Sequence, residues 1–99
     1  MEIQYSPLHP SQDQAVLIEI RDAAQGATLH WGVNAVGLEW EQAIPEYRPS
    51  GSVMEGVATR TEMEGPDENG VLRVRLGPFN HTNQMVRSLN FAIHWQDDT

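Results

Sequence analysis

The chain has 99 residues, which is enough for one folded domain and too few for two. Fourteen acidic and six basic residues give a net charge of −8, which disfavours nucleic acid and anionic membrane surfaces as partners. Cysteine is absent, so disulfides, thiolate metal sites and thiol nucleophiles are excluded.

The N-terminal residues indicate an extension ahead of the domain. The stretch MEIQYSPLHP has neither a basic start nor an apolar core, so it is not a secretory signal and we expect a cytoplasmic protein. No run of the chain approaches the ~18 apolar residues that a membrane-spanning helix requires. We therefore divide the chain into an N-terminal extension, residues 1–13, and a single domain, residues 14–99.

Five segments alternate apolar and polar residues with the period of two that is typical of half-buried β-strands. In chain order they are residues 14–21, 27–34, 57–63, 71–76 and 87–95. The third is the weakest, because charged residues alternate there with threonines. The apolar residues that share the inward side of the other four strands form the predicted core: Val16, Ile18, Ile20, Leu29, Trp31, Val33, Leu72, Val74, Leu76, Leu89, Phe91 and Ile93.

Turn-forming residues separate the predicted strands. Residues 22–26 and 65–70 are predicted to be hairpin loops that join the strands on either side of them. The connection 35–52 contains two glycines and two prolines, so no single regular element spans it, yet it carries Trp40 and Tyr47. Strands at regular spacing with such connections predict an all-β fold, an antiparallel sandwich of two packed sheets.

The sequence does not favour an enzyme. His30 and His94 both point outward on their predicted strands, and we interpret them as exposed polar residues, because a transition-metal site needs three or four converging ligands. Glu39 and Glu41 lie two residues apart on a loop, where a desolvated pair of catalytic carboxylates is unusual. No nucleophile elbow and no glycine-rich phosphate loop is present. We expect a protein without catalytic residues, metal or cofactor.

The three tryptophans differ in their surroundings. Trp31 is in phase with Leu29 and Val33, which predicts a core position. Trp40 lies in a charged stretch, where it is either a flat apolar plate for the C–H face of a sugar ring or a loop anchor that caps the core. Trp95 ends the last strand and is either a plug at the rim of the core or a second plate.

An ordered set of motifs extends over roughly residues 14–95. It comprises Leu29-His30-Trp31-Gly32-Val33, Trp40, Pro45, Pro49-Ser50-Gly51-Ser52, Ala58, Thr59, Thr61, Leu72-Arg73-Val74-Arg75-Leu76 and Leu89-Asn90-Phe91-Ala92-Ile93. In this order and spacing the chain resembles the starch-binding modules, carbohydrate-binding module family 45, of α-glucan water dikinases and related bacterial glucan-active proteins.

The resemblance implies an immunoglobulin-like β-sandwich that binds α-glucan (starch, glycogen or maltooligosaccharide) weakly and without catalysis. In that family the tryptophan matching Trp40 belongs to the sugar platform. The chain departs from the family after its last strand: the further platform tryptophan follows a longer excursion there, whereas Trp95 comes only four residues after Phe91.

The candidate carbohydrate site is therefore centred on aromatic side chains, with polar groups that hydrogen-bond to sugar hydroxyls. The aromatic candidates are Trp40, Tyr47 and Trp95, and the polar candidates are His30, Arg48, Glu39 and Glu41.

Two functions stay open at this point. One is a module that binds α-glucan, and the other is a small module of the same fold that holds a protein partner at an open sheet edge or at the aromatic loop. Trp40 and Tyr47 exposed side by side would favour the sugar, whereas a buried Trp40 would remove the platform.

Overall fold

The computed structural model describes residues 2–7, 13–37 and 39–96. Within these ranges the chain forms seven β-strands and a short 3-10 helix, Pro45–Tyr47, and no helix there is long and apolar enough to cross a membrane. The strands are β1 (Glu2–Ser6), β2 (Val16–Arg21), β3 (Ala27–Asn34), β4 (Val53–Glu55), β5 (Ala58–Glu62), β6 (Leu72–Leu76) and β7 (Ser88–Trp95).

The strands make two sheets in which every paired neighbour is antiparallel. The order is β1-β2-β6 in the three-stranded sheet and β4-β5-β3-β7 in the four-stranded sheet. Because β2, β5 and β6 alternate between buried and exposed positions, the two apolar faces pack against each other and the opposite faces are outward. This confirms the predicted all-β, immunoglobulin-like sandwich.

The predicted core residues on β2, β3 and β6 are all buried, and Trp31 is fully buried at the centre. Those on β7 are only half-buried, because β7 is an edge strand that the smaller sheet covers incompletely. Across the gap, Tyr5 of β1 meets Phe91 of β7 edge to face, with ring centroids 6.4 Å apart. Ile3 and Tyr5 remain 41% and 49% exposed, so this side of the sandwich is open.

The weakest predicted strand is real, and its threonines point into the core. Thr59 and Thr61 of β5 are buried between apolar neighbours. The Thr61 hydroxyl oxygen accepts a hydrogen bond from the indole N–H of Trp31 at 2.9 Å and lies 2.7 Å from the Ser52 hydroxyl. The buried Thr61 hydroxyl thereby keeps its hydrogen-bond partners, which is what makes threonine tolerable at this inward position.

The prediction that residues 22–26 and 65–70 form hairpin loops is wrong. β2 and β3, which residues 22–26 connect, lie in different sheets, as do β5 and β6, which residues 65–70 connect. Both connections are arches that cross from one sheet to the other, and the Ala23 N–H donates to the Gly70 carbonyl at 2.8 Å to tie them together. The turns lie where the sequence predicts them. Which strands pair, however, depends on contacts between distant residues that the turn residues do not encode.

The structure also differs from the predicted N-terminal extension. Glu2–Ser6 is strand β1 and pairs with β2 along its whole length, with Ile3 opposite Ile20 and Tyr5 opposite Ile18. Residues 8–12 of that extension lie outside the described residues. All five side chains of β1 are exposed, so the alternation of this short edge strand is not reinforced by burial.

Candidate functional site

The outer face of the four-stranded sheet carries the indole of Trp40, which lies on Gly32 of β3. Trp31 and Val33 on either side of Gly32 point into the core, so Gly32 faces outward. A Cβ at position 32 would stand 2.9 Å from Cε3 of the indole. Only glycine leaves room for the ring at this point, and Trp40 is half-buried as a result.

The loop that carries Trp40 is closed by a short backbone bridge. The Glu41 N–H donates to the Val33 carbonyl at 2.8 Å, and the Val33 N–H donates back to Glu41 at 3.1 Å. Inside the loop, the Asn34 side-chain amide donates to the Glu39 carbonyl at 2.6 Å. Its Oδ1 accepts from the Asn90 amide at 2.5 Å, so the loop is fastened to β7.

The Glu41 side chain stabilises this loop. Its carboxylate accepts hydrogen bonds from the N–H groups of Ala35 at 2.9 Å and Val36 at 3.0 Å. The hydrogen bond from Val36, followed by that from Ala35, lowers the pKa of Glu41 below its ordinary value, because both stabilise the charged form. The Glu41 carboxylate therefore has a structural role in this loop, and its contact with sugar hydroxyls stays a prediction.

Next to the indole on the same face lies a pair of stacked imidazoles. The rings of His30 on β3 and His94 on β7 have centroids 4.0 Å apart and planes inclined by 22°. His30 Nε2 also lies 4.0 Å from the Glu55 carboxylate, which pairs with Arg60 at 3.1 Å. Burial, and then the neighbouring His94, lower the pKa of His30 below its ordinary value. We call Trp40, His30 and His94 together the aromatic face.

The structure contradicts the prediction that Tyr47 is an exposed residue of the sugar site. It is only 3% exposed, and its ring meets Phe79 edge to face at 5.0 Å inside the core. Its phenol oxygen accepts from the His81 N–H at 2.9 Å and donates to the Gln84 carbonyl 2.6 Å away. An exposed Trp40–Tyr47 pair is therefore not formed, because Tyr47 anchors its loop to residues 81–84.

The other predicted site residues divide between the two sides of the sheet. Trp95 is half-buried and packs against the core, opposite Ala27, so it is the rim plug rather than a plate. The Arg48 Nε–H donates to the Ala43 carbonyl at 2.7 Å, within its own loop. The structure thus places Trp40 and His30 together on the outer face, while Tyr47 and Trp95 face inward.

Metal binding finds no support in the described ranges, where no group of three or more His, Asp or Glu side chains is arranged to hold an ion. Three residues in or next to the aromatic face were not predicted as site residues. They are His94, Gly32 beneath the indole, and Asn34, which holds the loop of Trp40. Of these, Gly32 had a usable signal, since a glycine inside an alternating strand often marks the close approach of another group.

The fold and this face define an immunoglobulin-like β-sandwich that carries an aromatic face on its larger sheet. Residues 1–98 match the family model described as the alpha-glucan water dikinase 1 Ig-like N-terminal domain, and the chain belongs to that family. The resemblance inferred from the motifs is confirmed at this level. No curated protein and no solved structure gives a significant match.

Proposed function

We propose that this chain is a non-catalytic module that binds α-glucan on the aromatic face. Its ligands are starch, glycogen or maltooligosaccharides. The observation that carries the proposal is the position of Trp40, whose ring rests with one side on Gly32 while the residue remains partly exposed. A flat apolar ring held in this way suits the C–H face of a pyranose.

Polar groups next to the indole support the same ligand class. His30 lies two residues from Gly32 on the same side of β3, a separation of roughly 7 Å along the strand. Imidazole nitrogens donate and accept hydrogen bonds, which matches the hydroxyl groups of a sugar. A neutral ligand is also indifferent to the net charge of −8.

The family supports the choice of α-glucan among sugars. Its description names a dikinase of alpha-glucan, and the chain matches the Ig-like N-terminal domain of that description along residues 1–98.

The proposal is tested by titrating the parent protein with maltoheptaose and following tryptophan fluorescence. We expect saturable binding in the high micromolar to millimolar range, about 4–6 kcal/mol. Trp40→Ala removes the plate, so its affinity falls about tenfold or more, which corresponds to ~1.4 kcal/mol. Trp40→Phe keeps a smaller ring and retains part of the affinity.

Val36→Ala is the matched control, because Val36 lies in the same loop, is 87% exposed, and contributes only its backbone N–H to Glu41. It leaves the affinity unchanged. A parent protein that shows no ligand-dependent change at ~10 mM sugar, well above that range, contradicts the proposal. The protein-partner function is then favoured, with the open β1 side as its surface.

A further inference from the structure

The stacked histidines extend the aromatic face from His30, beside the indole, to His94 on β7. His94 stands opposite Thr28, and His30 stands opposite Ala92, so the two rings meet diagonally across β3 and β7. His30 is largely covered, with 17% of its side chain exposed, whereas His94 is exposed. The pair therefore presents the imidazole of His94 to solvent, stacked beside the more covered imidazole of His30.

The pair continues the surface that begins at the indole. Gly32, which lies under Trp40, and Thr28, which pairs with His94, are four residues apart on β3, or roughly 14 Å along the strand. Ala92 lies between them on β7 with a side chain too small to obstruct the path. A single sugar ring stacked on the indole does not reach His94, but a chain of several rings does.

We propose that His94, stacked on His30, is a second subsite for the α-glucan, occupied only by chains long enough to extend from Trp40 across Ala92. This inference rests on the proposed function and deepens it. The first subsite is the indole plate, and the second supplies hydrogen bonds from imidazole nitrogens to the hydroxyls of a ring farther along the chain.

The charges around the pair make this second subsite dependent on pH. The groups that face His30 are His94 on β7, Arg60 and Glu62 on β5, and Glu55 on β4. Glu55 shares its carboxylate with Arg60, and Glu62 accepts from Gln96, so neither acid is dedicated to the imidazoles. Protonation of both rings would place two positive charges 4.0 Å apart, which opposes stacking.

The direction of the effect follows from His30. Burial, and then the neighbouring His94, hold the pKa of His30 below its ordinary value, so this ring is uncharged at neutral pH and the stack is intact. As the pH falls and His30 takes up a proton, the stack is disfavoured and long chains lose their second contact. Short sugars that occupy only the indole keep their affinity.

The experiment compares maltose with maltoheptaose, by calorimetric or NMR titration, against the parent, His94→Ala and Trp40→Ala. We expect His94→Ala to weaken maltoheptaose about three- to tenfold, the range of one polar contact, and to leave maltose unchanged. Trp40→Ala weakens both sugars. Lowering the pH from 8 to 5 weakens maltoheptaose for the parent but not for His94→Ala.

His81→Ala is the matched control, because His81 lies near Tyr47 outside the aromatic face and its Nδ1 only accepts from the Asn83 N–H. It binds both sugars as the parent does. If His94→Ala binds maltoheptaose like the parent while Trp40→Ala does not, the second subsite is overturned and the proposed function stands. If His94→Ala weakens maltose and maltoheptaose equally, the separation into subsites is overturned. If the parent binds neither sugar, both proposals fail together.

Discussion

The outer face of the three-stranded sheet carries paired charges, whereas the outer face of the four-stranded sheet carries rings. On the smaller sheet, Arg73 of β6 lies 3.0 Å from Glu19 on β2 and 3.0 Å from Asp67 in the arch. We call these three residues the ionic face. The Arg73 guanidinium is shared by these two carboxylates. Hydrogen bonds from the Val71 N–H, and then from Arg73, lower the pKa of Asp67 below its ordinary value.

The aromatic face shows the opposite arrangement. The Trp40 ring rests on the sheet through Gly32, and the exposed His94 ring rests on His30. The same alternation of inward and outward residues therefore yields one face built on a shared guanidinium and one on which rings lie beside the ion pair of Arg60 with Glu55. The two faces differ in the identity of a few outward residues, above all Gly32, which leaves room for the Trp40 indole.

The largest expected effect comes from the core that supports both faces. Trp31→Ala removes a fully buried side chain and should lower the free energy of unfolding by roughly 3–5 kcal/mol. Chemical denaturation measures it, and both faces should be lost together in a single transition. Trp31→Phe, which retains most of the volume, should cost less. An unchanged unfolding midpoint for Trp31→Ala would contradict the central position of this residue.

A smaller effect is expected at Tyr47, which tests its removal from the site. Tyr47→Phe deletes a phenol that bonds to the backbone of His81 and Gln84, so the stability should fall by about 1–3 kcal/mol. Its affinity for maltoheptaose should equal that of the parent. Reduced affinity at unchanged stability would return Tyr47 to the binding surface.

Gly32 tests the aromatic face directly. Gly32→Ala introduces a Cβ 2.9 Å from the Trp40 ring, so the indole must lift from the sheet. Affinity for both maltose and maltoheptaose should fall about tenfold, or ~1.4 kcal/mol. Gly37→Ala is the control in the same loop, since nothing lies within 4 Å of its added methyl group. If Gly32→Ala and Gly37→Ala bind the sugars with equal affinity, close contact between the Trp40 indole and Gly32 is not needed for binding.

Much of the fold was accessible from the sequence because burial imprints a period of two. The predicted segment 27–34 coincides with β3, and the inward residues of β2 and β6 are buried as expected. β1 and β4 were missed for a physical reason. β1 is an exposed edge strand and β4 has only three residues, so neither carries an alternation that burial reinforces.

The candidate site was predicted only in part, because its geometry depends on contacts between distant residues. Trp40 and His30 stood out by residue type and phase. The burial of Tyr47 depends on carbonyl groups more than thirty residues away, and the stack of His30 on His94 depends on the register of β3 with β7. Local sequence does not encode either pairing, and the hairpins predicted for residues 22–26 and 65–70 were wrong for the same reason.

The smallest expected effect is on the ionic face. Arg73→Gln breaks exposed ion pairs with Glu19 and Asp67, which contribute little because water and salt screen them. The melting temperature should decrease slightly at low ionic strength, and the difference should vanish in ~1 M salt, where the Debye length is about 3 Å. Affinity for maltoheptaose should not change at either salt concentration, because Arg73 lies on the opposite sheet. Weaker glucan binding by Arg73→Gln, at equal stability, would mean that the sugar contacts the ionic face and would reverse the comparison between the two faces.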